Sequence, residues 1–361
     1  MPLEPAEAHR RLLQNLGESD PLVWQQRWRQ RLAGCVVPEL IDASLLWGLA
    51  LPLLSWLELR RATTPQGPRG FPVVALNGPV GSGKSSLAKV LQALAPAIGC
   101  RLAVASIDDA YLDWDARCAA MAGNPFGVNR VPPGSHDPDL LVEAIDAWRL
   151  GAALRLPRFD KTLRGGDGDR AGWSSGPADA LLLEGWMVGC SPVGDEALST
   201  WISQQRLLGA FSSEELNWLP HWNQNLRAYG PLWDRCTSLW LLQPTRSELV
   251  RRWRFQAEAK QRRHQIGLLA IDKKGSALVS QQVDAASSQQ GDGEACLSQT
   301  WLSPRALDGL VRATQASLPA QLYQHGLVGR AIGVACLDAQ RRCRWAGPGG
   351  DQSSVSSSLM G

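Results

Sequence analysis

Lysine is scarce in this chain: six lysines stand among 37 basic residues, and 34 acidic residues leave a formal net charge of only +3. A balance this close excludes the broad basic field that recruits nucleic acid or an anionic membrane surface, so neither partner is expected. The eight cysteines include no C-x-x-C pair. Neither a zinc site nor a disulfide framework is signalled, and free thiols in a reducing, cytoplasmic compartment are the expectation. Long apolar runs are missing as well. The most apolar stretch, Ala43 to Leu57, contains Pro52 and falls short of the ~20 residues that a membrane span requires; it reads as a buried helix pair. Met1 to Arg11 is polar and acidic before it turns helical, so a secretory leader is not expected.

What is present has the balance of a globular enzyme: 361 residues, 44% of them hydrophobic and 20% charged. No internal repeat is visible. From Glu7 to Leu59 apolar residues recur at three- and four-residue spacings, the period of amphipathic helices. The run Arg60 to Gly70, with Pro65, Gly67 and Pro68, has linker chemistry. Residues 1–69 are therefore expected to form a helical appendage and linker, and residues 70–346 the main domain. In that domain strand-like runs (Val73 to Leu76, Leu102 to Ile107, Ala180 to Leu183, Ser238 to Leu242) alternate with helical ones, after Gly83 and around Leu140 to Trp148. Such alternation predicts an α/β fold with a mainly parallel sheet covered by helices on both faces. A mobile insertion is expected within about residues 265–300, centred on the Ser-, Gln- and Gly-rich run Ala285 to Cys296, and a disordered tail over residues 347–361.

The strongest chemical signal is Gly78-Pro79-Val80-Gly81-Ser82-Gly83-Lys84-Ser85, which satisfies G-x-x-x-x-G-K-[ST] between a predicted strand and a predicted helix. Glycines let such a loop curl around phosphates, with backbone N–H groups and a helix N-terminus facing the anion. Gly78, Gly81, Ser82, Gly83, Lys84, Ser85 and Ser86 are the nucleotide-binding candidates, Lys84 reaching the β and γ phosphates and Ser85 offering its hydroxyl to Mg²⁺. A second signal, Ser106-Ile107-Asp108-Asp109-Ala110-Tyr111, lies at the carboxyl end of the next strand, where open α/β sheets place their ligands. Asp108 is the candidate to accept a substrate hydroxyl's proton, and Asp109 is either a metal-side partner or a helix N-cap. A third, Leu181-Leu182-Leu183-Glu184, ends an apolar strand in one acid and offers Glu184 as a metal-side carboxylate, though buried strands often end this way.

Between these motifs lie Arg130 to Asp137, Pro157 to Thr162 and Gly168-Asp169-Arg170. Lys161 is one of the six lysines, and transferring phosphoryl groups and carboxylate substrates both need such donors. Arg130, His136, Asp137, Arg158, Asp160 and Arg170 are the substrate-binding candidates, with Arg158 and Lys161 also candidates for catalysis. The bland account of each arginine is a solvated surface charge, and of His136 a loop hydrogen-bonder.

Taken together, these motifs resemble the D-glycerate 3-kinase family of plants and cyanobacteria, itself similar to the uridine kinase, phosphoribulokinase and pantothenate kinase group. The P-loop, S-I-D-D, Gly123-Asn124-Pro125, Arg130 to Asp137, Pro157 to Lys161, Glu184 to Met187 and Trp253 to Glu258 follow in the family's order, over roughly Phe71 to Glu258 and again weakly at Leu302 to Tyr323. Ala110 stands where the family has an aromatic, and Asp167 where it has an arginine. The resemblance implies a three-layer P-loop NTPase fold and transfer of the ATP γ-phosphoryl group, with Mg²⁺, to the 3-hydroxyl of D-glycerate, a photorespiratory step. It also implies that Arg254 approaches the nucleotide from a lid. The competing readings are a P-loop kinase of another hydroxylated metabolite, such as a nucleoside or pantothenate, and a regulatory protein that binds ATP without transferring phosphate.

Overall fold

The computed structural model describes residues 5–63, 67, 70–257 and 304–350. In chain order, α1 (Pro5–Asn15), α2 (Pro21–Leu32), α3 (Ala43–Leu45) and α4 (Leu51–Thr63) precede β1 (Val73–Asn77), α5 (Lys84–Leu94), β2 (Leu102–Ser106), α6 (Trp114–Ala120) and α7 (Asp139–Arg149). There follow β3 (Leu154–Asp160), β4 (Asp169–Gly176), β5 (Ala180–Gly185), α8 (Asp195–Leu208), β6 (Ser238–Pro244), β7 (Gly333–Leu337) and β8 (Cys343–Gly347), with shorter helical turns between them. Residues 249–257 are helical, as is Pro304–Ser317.

Six strands form one sheet in the order β2-β5-β1-β6-β7-β8, and all neighbours run parallel except the final antiparallel pair. This is the three-layer arrangement of P-loop NTPases. Its two faces can be read from the period of two along each strand. Val73, Ala75, Leu181, Leu183, Leu239 and Leu241 point to one face, where Leu141 and Ile145 of α7 and Leu198 of α8 cover them. Val74, Leu76, Leu182, Trp240 and Leu242 point to the other, against Leu87 and Leu91 of α5 and against the N-terminal helices. Burial on both faces explains why these strands are continuous apolar runs rather than alternating ones.

Within the N-terminal helices, tryptophans fasten α2 to α4. Trp24 and Trp28 are fully buried, and both indole N–H groups donate to the Ser55 hydroxyl at 2.9 Å. Removing that hydroxyl would orphan two buried donors, at about 1–3 kcal/mol each. The stretch from Ala43 onward is not the expected helix pair. It is one helical path in which Leu46–Ala50 forms a π-turn, the Leu51 amide bonding to the Leu46 carbonyl, before α4 begins with Pro52 in its first turn. Proline lacks an N–H and its ring clashes with the preceding turn, so a local i→i−5 widening keeps the helix continuous where a break was expected.

Two hairpins had no counterpart in the sequence reading. β3 and β4 pair antiparallel as a separate two-stranded unit, with β4 rich in Gly and Ser and half exposed. β7 and β8 extend the main sheet, and β8 ends at Gly347, the first residue of the expected tail. The rest of that tail from residue 351 onward, the expected insertion over about residues 265–300, and residues 64–66, 68 and 69 of the expected linker lie outside the described residues, while the linker's first residues, Arg60 to Thr63, continue α4.

Candidate active site

Because the strands are parallel, the loops at their carboxyl ends gather along one edge. They surround a cleft of about 1480 Å³. Across it the contributing segments follow the strand order: Asp108 after β2, Glu184 at the end of β5, the P-loop after β1, Arg254 beyond β6, and Arg341 after β7.

The P-loop enters α5 through Gly81 and Gly83, whose φ angles of +81° and +98° suit glycine. A Cβ on Gly81 would also come within 2.5 Å of the Trp253 carbonyl oxygen, so the loop and the helix over residues 249–257 are in backbone contact. Lys84 is 8% exposed and donates from Nζ to the Pro79 carbonyl at 3.1 Å. Burial lowers its pKa, opposed by the negative charges of Glu184 and Asp108. The Ser85 hydroxyl donates to Glu184 Oε1 at 2.6 Å. Glu184 is itself 6% exposed, held at the end of a fully buried strand. Ser82 and Ser86 line the same loop, the Ser82 hydroxyl buried without a partner, and Gly78 sits behind it against Leu242.

At the β2 end, Asp108 Oδ2 accepts from Lys161 Nζ at 2.6 Å, and Oδ1 lies 3.9 Å from His136 Nε2. Burial alone would raise the Asp108 pKa, but Lys161 and His136 outweigh it and hold the carboxyl well below its ordinary range. His136 stacks on Tyr111 with ring centroids 4.2 Å apart, and its Nδ1 is 2.9 Å from the Tyr229 hydroxyl. That hydroxyl accepts the Gly134 amide and so has its proton free for Nδ1, which leaves Nε2–H facing Asp108. Burial lowers the His136 pKa, Asp108 acting in the opposite sense, so the ring is neutral near pH 7. Arg130 lines the cleft, is 7% exposed, and has its NH1 group buried with no hydrogen-bond partner. Its neighbour Val131 adopts φ +94°, a conformation that β-branched residues rarely take and that tends to mark functional loops.

The remaining candidates have other partners, although Asp109 also lines the cleft. Asp109 is turned toward main chain: it accepts the Ser106 amide at 3.1 Å, closing a capping box, and the Phe159 amide at 3.3 Å. Burial raises its pKa, against the pull of those amides and of Arg158. Arg158 does not line the cleft. Its guanidinium lies 3.6 Å from Asp109, beside a separate cavity of about 560 Å³. Arg158 therefore braces Asp109 rather than Asp108, from the point where the β3–β4 register is interrupted between Pro157 and Phe159. Asp160 caps the next turn through the Thr162 amide and hydroxyl, while Arg170 bridges the Tyr111 carbonyl and the Asp137 carboxylate, each at 3.1 Å. None of these three lines the cleft.

Three residues absent from the sequence reading complete the site. Tyr229 orients His136. Arg117, fully buried, donates to the carbonyls of Leu112 and Gly168 and lies against Tyr111 and Phe159, anchoring the β3–β4 loop that carries Lys161. Arg341 donates from Nε to the Gly81 carbonyl at 2.6 Å. No motif flagged these residues, since the contacts of Tyr229 with His136, Arg117 with Gly168 and Arg341 with Gly81 join residues 93, 51 and 260 apart in the chain.

The sequence has measurable relatives. The chloroplastic D-glycerate 3-kinase of Arabidopsis thaliana is 29% identical over 235 residues, which are 60% of this chain and 48% of that protein. An uncharacterized kinase of Schizosaccharomyces pombe is 32% identical over 217 residues, 57% of this chain and 75% of that protein. The chain belongs to the D-glycerate 3-kinase family of P-loop kinases. Among solved structures, D-glycerate 3-kinase from Cryptococcus neoformans superposes with a TM-score of 0.64 at 23% identity, covering 84% of this chain and 99% of that one, which supports the shared fold. The match spans about half the length of the plant member and three quarters of the fission yeast member. No protein-family model matches the chain.

Proposed function

We propose that this protein transfers the γ-phosphoryl group of ATP to the 3-hydroxyl of D-glycerate, giving 3-phosphoglycerate and ADP. The observation that carries the reading is the pairing, at one end of the P-loop cleft, of an ionised carboxylate on a lysine with a buried arginine that lacks a partner. Family membership narrows the class to small-molecule kinases, and the plant relative's name supplies the acceptor.

In this reading Lys84 neutralises charge on the β and γ phosphates, moving off the Pro79 carbonyl to do so. Ser85 and Glu184 would hold Mg²⁺. Their hard oxygen donors fit it, and among the described residues no group of three or more His, Cys, Asp or Glu forms a cage, as suits a cation that takes most of its ligands from phosphates and water. Bound there, the cation supplies charge neutralisation at the phosphates. Asp108 orients the acceptor hydroxyl. With its pKa held so low it is a weak base, so it takes the proton late, once phosphoryl transfer has made that hydroxyl acidic. Lys161 then faces both Asp108 and the group in transit. Arg130 binds the glycerate carboxylate, a charge-assisted contact worth about 1.5–3 kcal/mol. Arg254, whose charge is felt at Lys84 and Tyr111, acts on the nucleotide side; Glu258 of its motif lies outside the described residues.

The setting belongs to the same proposal. The described cysteines are all free, which suits a reducing cytoplasmic compartment, and no described helix is long and apolar enough to cross a membrane. A photorespiratory role follows from the family resemblance. Product identity tests the reading. Phosphorus NMR of a reaction with ATP and D-glycerate should show 3-phosphoglycerate, and a product from uridine or pantothenate but none from glycerate would replace it with a different kinase.

A further inference from the structure

The cleft is larger than a three-carbon acid and a triphosphate need, and its β7 end has no role in the chemistry above. That end has two walls. One is the turn between β7 and β8, Gln340 to Arg342; the other is Glu39 to Asp42, ahead of α3. The walls are fastened to each other: the Cys343 amide donates to the Ser44 hydroxyl at 2.8 Å, and Arg342 Nε lies 3.9 Å from Asp42. Gly48, inside the π-turn, lets that helix press on Cys343, since a Cβ there would sit 3.1 Å from its sulfur. Arg341 adopts φ +65° and grips the Gly81 carbonyl, so the turn is also fixed to the P-loop.

Strand order sets the direction of the nucleotide. The acceptor site lies after β2, the phosphates after β1, and the remainder of the nucleotide must leave away from β2, toward β6 and β7. There it meets an apolar surface: Leu40 is 44% exposed, with Ile41 and Val80 in the same lining, and Glu39 and Gln340 supply polar atoms. Exposed aliphatic side chains beside a few polar groups, on a wall held by hydrogen bonds, suit a flat heteroaromatic base and its ribose.

We propose that Glu39–Asp42, clamped against the β7–β8 turn, forms the nucleoside subsite, so that the N-terminal region is a working part of the ATP site. This inference rests on the ATP reading, and the test separates the two. Magnesium ADP and magnesium pyrophosphate are titrated by calorimetry into the wild-type protein and into the variant Leu40→Ala/Ile41→Ala. The wild type should bind ADP more tightly than pyrophosphate, and the variant should lose about tenfold on ADP with pyrophosphate unchanged. Pyrophosphate affinity doubles as the folding control, and Leu40→Ala alone, at a half-exposed position, carries the test if the double variant is unstable. Unchanged ADP affinity, or equal wild-type affinities for the two ligands, would overturn the subsite while leaving the phosphate site standing. A wild-type protein that binds neither ligand would overturn the ATP reading itself.

Discussion

At the β2 end of the cleft the work falls to charged side chains: Asp108, Lys161 and Arg130, with neutral His136 behind them. At the β7 end it falls to turns, aliphatic surface and an arginine bonded to a P-loop carbonyl. The difference suits the two tasks proposed for them. Phosphoryl transfer needs charge fixed where charge develops, whereas holding a nucleoside needs shape and a few hydrogen bonds. Losses at the first end should therefore appear in turnover or acceptor affinity, and losses at the second in nucleotide affinity.

The largest effect is expected at Lys84, between the two ends. Lys84→Ala should lower kcat by roughly three orders of magnitude or more while leaving the melting temperature near that of the wild type, because it removes a cation from the transition state. Turnover like the wild type would remove the P-loop from the mechanism. Asp108→Asn keeps shape but not charge, and should lower kcat roughly a hundredfold to a thousandfold with little change in the KM for ATP. Asp109→Asn should affect stability more than kcat, since its oxygens are occupied by main-chain amides. If Asp109→Asn were the more damaging to turnover, the two roles would be exchanged.

Smaller effects sharpen the same contrast. Arg130→Ala should raise the KM for glycerate by about tenfold or more, one tenfold step being ~1.4 kcal/mol, with ATP binding unchanged. Arg158→Ala, outside the cleft, should change that KM by no more than about threefold. Equal effects would mean that Arg158 swings into the cleft when ligands bind. The smallest is a pH effect on stability. Burial lowers the His136 pKa below its ordinary 6.5, with Asp108 opposing and Arg117 and Lys161 adding to the shift. The folded protein thus binds fewer protons than the unfolded chain just below that pH, so this contribution is present above about pH 6.5 and is lost as pH falls toward the folded value. Urea unfolding at about pH 7.5 and 5.5 should show a smaller acid loss in His136→Gln than in the wild type.

The same asymmetry decided what the sequence disclosed. Lys84, Asp108, Glu184 and Lys161, which all line the cleft, were legible because the P-loop has fixed spacing and the others stand at or just beyond strand ends. The four apolar parallel strands were legible because burial on both faces leaves a continuous signal. Arg158 stands beside Asp109 and a separate cavity rather than in the cleft lining, a placement that the motif P-R-F-D-K alone does not reveal. Tyr229, Arg341 and Leu40 carried no local signal. The partners of Tyr229 and Arg341 lie 93 and 260 residues away in the chain, and only the topology brings Leu40 into the same cleft as Gln340. Pro52 suggested a break that one widened turn absorbs.

The central claim is that the acceptor is glycerate and that its carboxylate and hydroxyl are read at the β2 end. Coupled ADP release measures this most directly, with ATP and magnesium held constant and D-glycerate, L-glycerate or no acceptor added. The account predicts steady turnover with D-glycerate, much less with its mirror image, and almost none without acceptor. Steady ADP release that D-glycerate does not stimulate would contradict it, and would make this a nucleotide-hydrolysing protein with a different purpose for Asp108 and Arg130.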